Sequence, residues 1–232
     1  MISIDEAVRA RHSVRQYTDE PIAADVRTRL EAKLAELNRE GNLHMSLVCD
    51  EPDAFGSGLA HYGSFRGVRN YLVIAGADAV DLDRRAGYYG EQLVLFAQQL
   101  GLNTCWVALT FKKRLVKKMI AAGDRLVIVI ALGYGVTQGR PRKSKAAEVV
   151  STCTAPAPAW FSRGVEFALL APTAINQQKF RFELLDDAPG ASTPPVVRAT
   201  TQVGPYAQVD LGIAMLHFKL GAGASAFTWK ID

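Results

Sequence analysis

The feature that most constrains the fold is the apolar run at residues 126–134 (LVIVIALGY), which predicts a buried strand. A second apolar run, Tyr71–Ala75, predicts another buried strand. Between the two runs, residues 81–100 carry an apolar stripe at helical spacing and end at Gly101. Helices mixed with buried strands in this way indicate an α+β fold.

Three further elements are predicted near the N-terminus. Ser3 and Glu6 form the S-x-x-E pattern of a capping box, which predicts a helix over residues 3–11. Leucines and a valine at three- and four-residue spacing predict a second helix over residues 23–39. Residues 43–49 predict a short strand.

The pattern begins again after residues 137–158, whose many Pro, Ala, Ser, Thr and Lys residues predict a linker or an extended arm. The later segments predict a helix over 160–170, a strand over 180–185, turns over 186–195, a helix over 204–221 and a strand near the C-terminus. We therefore expect an N-terminal half, residues 1–150, and a shorter C-terminal half, residues 151–232, in one integrated globular unit.

A faint internal duplication relates the two halves. Aligning residues 90–106 with residues 210–226 sets one apolar-striped helix against the other, and each is followed by a strand-like run that holds a Trp. Chance similarity between two amphipathic helices is the alternative explanation.

Composition and charge exclude several classes of protein. Hydrophobic residues make up 49% of the chain and charged residues 22%, as in ordinary globular proteins. No uncharged apolar stretch reaches the ~18 residues that a membrane span requires, and the charged N-terminus lacks a signal-peptide core. We therefore expect a cytoplasmic protein without a membrane contact. The net charge of +4 is too small to argue for nucleic acid.

Three widely spaced cysteines, Cys49, Cys105 and Cys153, form no CxxC pair or Cys/His cluster. They predict reduced thiols, no disulfide framework and no metal site.

Three segments carry polar groups suited to a ligand. Arg11 and Arg15, with Ser13 between them, offer donors to a phosphate, or else they are solvated residues at a helix end. The loop at residues 171–178 exposes amides that suit a flavin ring edge, or that satisfy one another. The turn from Gly101 into a strand leaves backbone N–H groups free to face a ligand.

Together these segments resemble the nitroreductase family, FMN-dependent oxidoreductases built on an α+β sandwich. The similar segments are RHSVRQYTDEPI, GYYGEQLVLFAQQLGLNTCWVAL, GDRLVIVIALGYG and APTAINQQKFRFEL, the last with Thr173 in place of the usual Ser. In the family, the flavin-signature loop (here residues 171–178) normally follows the arginine signature (here Arg11–Arg15) by about 25 residues. In this chain the loop lies in the second half instead. The chain thus resembles the branch in which two half-size units are fused and mimic the family dimer. This implies one FMN per chain, between the halves, and a protein that can act as a monomer.

The resemblance assigns the cofactor contacts residue by residue. Arg11, Ser13 and Arg15 would hold the FMN phosphate, with His12 nearby, and Arg142 or Lys143 would add a further cation. A backbone N–H within Asn103, Thr104, Cys105 and Trp106 would lie near the reactive flavin nitrogen. From the second half, Pro172, Thr173, Asn176 and Gln178 would contact the flavin.

The implied activity is transfer of a hydride from NADH or NADPH to the flavin, followed by reduction of a small nitroaromatic, quinone or similar acceptor in ping-pong order. No catalytic side chain is needed, so a packing role is favoured for Cys105. His61, Tyr62 and Phe65 either line the substrate side or pack among themselves. The alternatives are a flavin storage or sensor protein without turnover and a basic interaction module that uses residues 112–118. A nicotinamide-binding Rossmann domain is disfavoured because no G-x-G-x-x-G follows a strand.

Overall fold

Two four-stranded sheets organise the chain, one in each of two units. The computed structural model describes residues 1–56, 64–153, 156–185, 194–223 and 227–231. Contacts within the chain divide it into Met1–Pro141 and Arg142–Asp232. The division falls inside the segment 137–158 that the sequence predicts as a linker.

The sheet of the first unit is antiparallel throughout, in the order β1-β2-β4-β3. Its strands are β1 (Ser46–Val48), β2 (Asn70–Ala77), β3 (Asn103–Val107) and β4 (Asp124–Gly133). The central strands β2 and β4 are buried along most of their length, which confirms the two apolar runs as interior strands. The sheet therefore forms the core of this unit, and β3 lies at its edge.

Four helices accompany this sheet in the described residues, and the predicted capping box is confirmed. They are α1 (Ile4–Ala10), α2 (Ala24–Gly41), α3 (Leu82–Gln99) and α4 (Lys113–Val116). Ser3 and Glu6 form the expected capping box of α1. The basic segment at 112–118 forms only the single turn α4 followed by a 3-10 turn, Lys117–Met119. Val116 packs in the core, and the surrounding lysines face solvent.

The second unit carries a mixed sheet in the order β5-β6-β7-β8, in which only the β6–β7 pair is antiparallel. Its elements are α5 (Ala147–Val150), β5 (Ser151–Thr152), α6 (Ala159–Ala168), β6 (Phe180–Leu185), β7 (Val196–Thr201), α7 (Ala207–Ala222) and β8 (Thr228–Ile231). The rings of Phe182, Phe218 and Trp229 form its aromatic core. Gly164 allows α6 to approach α7, because a Cβ there would lie 2.8 Å from the Phe218 ring.

Two features of residues 137–201 differ from the predictions. The segment 137–158 is not simply an extended arm, since it contains α5 and β5. The strand β7 was not predicted, although its alternating buried residues Val197 and Ala199 fit one half-buried strand. Residues 186–193, most of the predicted turn, lie outside the described part.

The two halves are alike in part. Both α3 and α7 precede a strand, β3 and β8, but β3 pairs antiparallel to β4 whereas β8 pairs parallel to β7. The α+β class is confirmed, and the fused duplication stays a prediction. All three cysteines are free, as expected. Within the described ranges, no helix has the length and apolarity to span a bilayer.

Candidate functional site

The arginine signature leaves α1 and runs along the edge strand β3. Arg11 ends the helix, its backbone N–H donating to the Ala7 carbonyl at 2.9 Å. Ser13 then pairs with Thr104 in a parallel bridge, and the Val14 N–H donates to the Thr104 carbonyl at 3.0 Å. The signature is therefore extended backbone beside β3, and its side chains are placed by that pairing.

Two other segments form backbone hydrogen bonds with the rest of the signature. The Arg66 N–H donates to the Arg15 carbonyl at 2.9 Å, and the Arg66 carbonyl accepts from the Tyr17 N–H at 3.0 Å. On the other side, the Val136 N–H donates to the Gln16 carbonyl at 2.9 Å. The backbone at Arg15 is thus fixed although its side chain is exposed to solvent.

Arg11 is a buried cation, only 3% exposed, with a buried counter-charge. Its Nε lies 3.6 Å from Oε1 of Glu91 on α3, and Oε2 of Glu91 accepts a 2.8 Å hydrogen bond from the Trp106 indole. Burial lowers the pKa of Arg11, and the Glu91 charge opposes that effect. At the 3.6 Å separation Glu91 makes no hydrogen bond to Nε, which has no hydrogen-bond partner among the described residues.

Arg11, Ser13 and Arg15 all lie near enough to Cys105 of β3 to influence its thiol. Burial raises the pKa of the Cys105 thiol, while the charge of Arg15, a hydrogen bond with Ser13 and the charge of Arg11 each act to lower it. Because the net shift is upward, the thiol is neutral at neutral pH. The structure therefore brings Arg11, Ser13 and Arg15 to one place beside β3.

The edge strand also offers backbone donors. In an antiparallel pair, the backbone N–H and C=O groups of successive residues point alternately towards and away from the neighbouring strand. The Thr104 carbonyl accepts from Val14 rather than from β4, so the backbone groups of Thr104 point away from β4. Because Trp106 is two residues further along the strand, its backbone groups point the same way. The Trp106 N–H therefore points away from β4, to the side of β3 along which the signature runs.

Asn103 and His12 contact the turn that follows β4. The Asn103 amide donates to Oε1 of Gln138 at 2.9 Å and accepts from the Gly135 N–H at 3.0 Å. Gly139, with φ of +81°, lies so close to His12 that a Cβ would come within 2.6 Å of the His12 Cβ. This turn is therefore packed directly against the signature.

In the second unit, the basic segment at 142–145 and the loop at 171–178 are joined by hydrogen bonds. Nη2 of Arg142 donates to the carbonyls of Leu169 and Ala171 at 2.7 and 2.6 Å, at the end of α6. The Lys143 carbonyl accepts from the side-chain amides of Asn176 and Gln178 at 2.9 and 3.0 Å. Arg142 and Lys143, one of which is predicted to contact the phosphate, thus hold this loop.

The loop itself adopts an unusual backbone conformation. Ile175, Asn176 and Gln178 have φ values of 46°, 57° and 44°, in the left-handed region that L-residues rarely occupy. Pro172 is buried, and Thr173 closes the loop, its hydroxyl accepting from the Gln178 N–H at 3.1 Å. Thr in place of the usual Ser therefore still supplies a hydroxyl oxygen. Strained residues of this kind cluster at ligand sites.

Asp210 on α7 contacts the loop at 171–178, and no sequence motif indicated this contact. Its carboxylate accepts from the Ala174 N–H at 3.0 and 3.1 Å and from the Gln177 amide at 2.6 Å. Burial raises the pKa of Asp210 to about 6, against the lowering effect of the hydrogen bonds from Gln177 and Ala174. The available signal was an acid within the otherwise apolar stretch of α7.

Glu91 is a second residue whose contact is not indicated by a sequence motif, and in the structure it is the counter-charge of Arg11. A carboxylate inside the apolar stripe of α3 was the corresponding signal. Of the aromatic loop, His61 and Tyr62 lie outside the described residues, and Phe65 packs on Phe55 with ring centroids 5.6 Å apart.

A cavity of about 380 Å³ lies next to the signature, lined in part by Tyr17, Phe55, Phe65 and Arg66. Arg11, Ser13 and Arg15 do not line it. In the described portion of the chain, no three His, Cys, Asp or Glu side chains are grouped to hold a metal ion.

Solved structures are similar to this chain. A protein from Thermotoga maritima described as a putative nitroreductase matches with a TM-score of 0.64 and 22% identity, over 95% of this chain and 83% of that one. A putative NADH dehydrogenase/NAD(P)H nitroreductase from Bacteroides thetaiotaomicron gives 0.50 and 17%, over 65% and 96% of the two chains. A putative nitroreductase from Desulfovibrio desulfuricans, solved in complex with FMN, gives 0.49 and 20%, over 65% and 96%.

No curated protein matches the chain significantly. The family model described as "Putative TM nitroreductase", in contrast, matches residues 3–222. Because this match covers nearly the whole chain, the protein belongs to that nitroreductase family.

Proposed function

We propose that the chain binds one FMN and transfers reducing equivalents from NADH or NADPH to a small electron acceptor such as a nitroaromatic or a quinone. The observation that carries the proposal is the convergence of Arg11, Ser13 and Arg15 beside β3. The family membership supports it independently.

The donor set in the first unit suits a phosphate monoester. Arg15 brings an exposed positive charge, Arg11 a guanidinium whose charge Glu91 balances in part, and Ser13 a hydroxyl donor; together these donors match an anion with several acceptor oxygens. Arg11 is held in a low-dielectric setting, with its Nε left without a hydrogen-bond partner among the described residues. The electrostatic attraction between an anion and a buried guanidinium is stronger than the attraction of the same pair in water. We assign the FMN phosphate to these three residues, with His12 beside them.

The remaining contacts are assigned to the flavin. In the first unit, we assign a backbone donor within Asn103–Trp106 to the flavin, and the Trp106 N–H, which points away from β4, is the best candidate. In the second unit, Pro172, Thr173, Asn176 and Gln178 are assigned to the flavin, and Arg142 or Lys143 to a further phosphate contact.

Bound FMN would supply the hydride-accepting and electron-donating chemistry. The chain's own residues would bind the phosphate, orient the ring and exclude water. Cys105 fits no nucleophilic role, because the thiol is 3% exposed and its pKa is raised by burial. This is why we expect ping-pong kinetics without a covalent side-chain intermediate.

A comparison of FMN with riboflavin tests the phosphate assignment. Fluorescence titration of the wild-type protein should show FMN bound at least about 100-fold more tightly than riboflavin, since two charge-assisted contacts are at stake. Arg15→Ala should lower the ratio of FMN affinity to riboflavin affinity by at least about tenfold. It should not unfold the chain, because the Arg15 side chain is exposed. Arg39→Ala, on the exposed face of α2, is the matched control and should leave it unchanged. Equal affinity of the wild-type protein for FMN and riboflavin would contradict the assignment.

A further inference from the structure

One buried carboxylate of the second unit holds the flavin-signature loop from outside it. Asp210 is 3% exposed, and its oxygens accept one backbone and one side-chain hydrogen bond from Ala174 and Gln177, at 2.6–3.1 Å. Charged hydrogen bonds in a buried setting are the stronger kind. The Asp210 side chain of α7 thus holds the middle of the loop by hydrogen bonds.

The loop needs such a tie because its backbone is strained. The left-handed conformations of Ile175, Asn176 and Gln178 persist only where surrounding contacts over-determine them. The Ile175 side chain is 95% exposed and contributes little packing. The segment at 142–145 holds the side chains of Asn176 and Gln178, whereas Asp210 holds positions 174 and 177.

We propose that Asp210 is a positioning residue of the cofactor site: its contacts with Ala174 and Gln177 fix the loop in the conformation in which Thr173, Asn176 and Gln178 face the flavin. This inference rests on the proposed function. The carboxylate is occupied by the loop, so its effect on the cofactor passes through the loop backbone.

Three variants separate this role from a general contribution to stability. Asp210→Leu removes both contacts at similar volume. Asp210→Asn retains one oxygen, which in the position of Oδ2 can still accept from both the Ala174 N–H and the Gln177 amide. Leu216→Ala is the matched control, a core truncation on the same helix about 9 Å further along its axis.

The experiment combines FMN titration with hydrogen exchange of the flavin-free protein. Asp210→Leu should weaken FMN binding by about tenfold or more and speed exchange of the Ala174 amide by a similar factor. Asp210→Asn should stay within about threefold of wild type in FMN affinity. Leu216→Ala should lower the melting temperature while FMN affinity and Ala174 exchange stay near wild type.

The outcomes distinguish the two proposals. If the wild-type protein binds FMN and Asp210→Leu binds it equally well, the positioning role is wrong and the proposed function stands. If Leu216→Ala weakens FMN as much as Asp210→Leu, the effect is general loss of stability, which also contradicts the role. If the wild-type protein does not bind FMN, the proposed function fails, and the role of Asp210 towards the flavin fails with it.

Discussion

At the scale of single residues, the site depends on buried charges whose partners are distant in sequence. Arg11 meets Glu91 on α3, and Ala174 meets Asp210 on α7. A buried charge without its partner is costly, because the desolvation penalty is no longer offset. These pairs therefore join stability to the geometry of the candidate site.

Glu91→Gln should destabilise the protein strongly. The variant keeps an acceptor for the Trp106 indole but leaves the Arg11 charge buried without its counter-charge, which costs on the order of 3 kcal/mol. Urea unfolding measures this loss, and Glu40→Gln, at an exposed position of α2, is the control. A loss no larger than that of the control would show that Glu91 does not compensate Arg11.

Asp210 should make stability depend on pH below neutrality. Its folded-state pKa of about 6 lies above the ordinary value of 3.8, so the folded state binds the proton more tightly than the unfolded state does. Its contribution is therefore fully present below about pH 4 and is lost as the pH rises through about 6, by on the order of 2–3 kcal/mol. The unfolding free energy of wild type relative to Asp210→Asn should fall over this range. A pH-independent difference between the two proteins would contradict the pKa shift.

The sequence predicted the three signature side chains as a group but not their partners. Arg11, Ser13 and Arg15 are close in sequence, so one motif names them all. Glu91 and Asp210 act through contacts across 80 and 33 or more residues, and no local pattern encodes such a contact. Their only trace is an acid in an apolar stretch.

At the scale of elements, the strained loop at 171–178 is the most informative segment. A β-branched residue at positive φ costs about 1–2 kcal/mol, which glycine avoids. Glycine also loses more conformational entropy on folding, by about 0.5–1 kcal/mol. Ile175→Gly should therefore be neutral or stabilise the protein by about 1 kcal/mol.

Val203→Gly is the control for this prediction. Val203 is 97% exposed, like Ile175, but it is absent from the residues with positive φ. It should therefore show only the entropic loss, about 0.5–1 kcal/mol. Thermal unfolding of both variants provides the comparison, and equal destabilisation by the two changes would show that Ile175 carries no strain.

Hydrophobic periodicity predicted most elements, and the misses have physical causes. The long helices and the strands β2, β4 and β6 follow from apolar spacing. The basic stretch after β3 reaches only a single turn because few of its residues pack on the core. Both α5 and β5 are too short to leave a periodic pattern, and β7 alternates over only six residues.

At the scale of the whole molecule, the order of the motifs is the unusual feature. The arginine signature lies in the first unit and the flavin-signature loop in the second, each with its own sheet. We propose that this arrangement reflects fusion of two half-size units, so that one chain carries both parts of what the family divides between subunits. The family membership follows from the sequence as a whole, whereas the electron acceptor depends on residues that no motif names.

The central claim is that FMN bound to this chain turns over with a nicotinamide. The most direct test is an anaerobic absorbance titration of the FMN-loaded protein with NADH and then NADPH, followed by addition of a quinone or nitroaromatic. The account predicts about one FMN per chain, bleaching by at least one nicotinamide and return of the colour on adding the acceptor. A protein that takes up no FMN would contradict the claim outright, and bound FMN that neither nicotinamide bleaches would identify a flavin-binding protein without this activity.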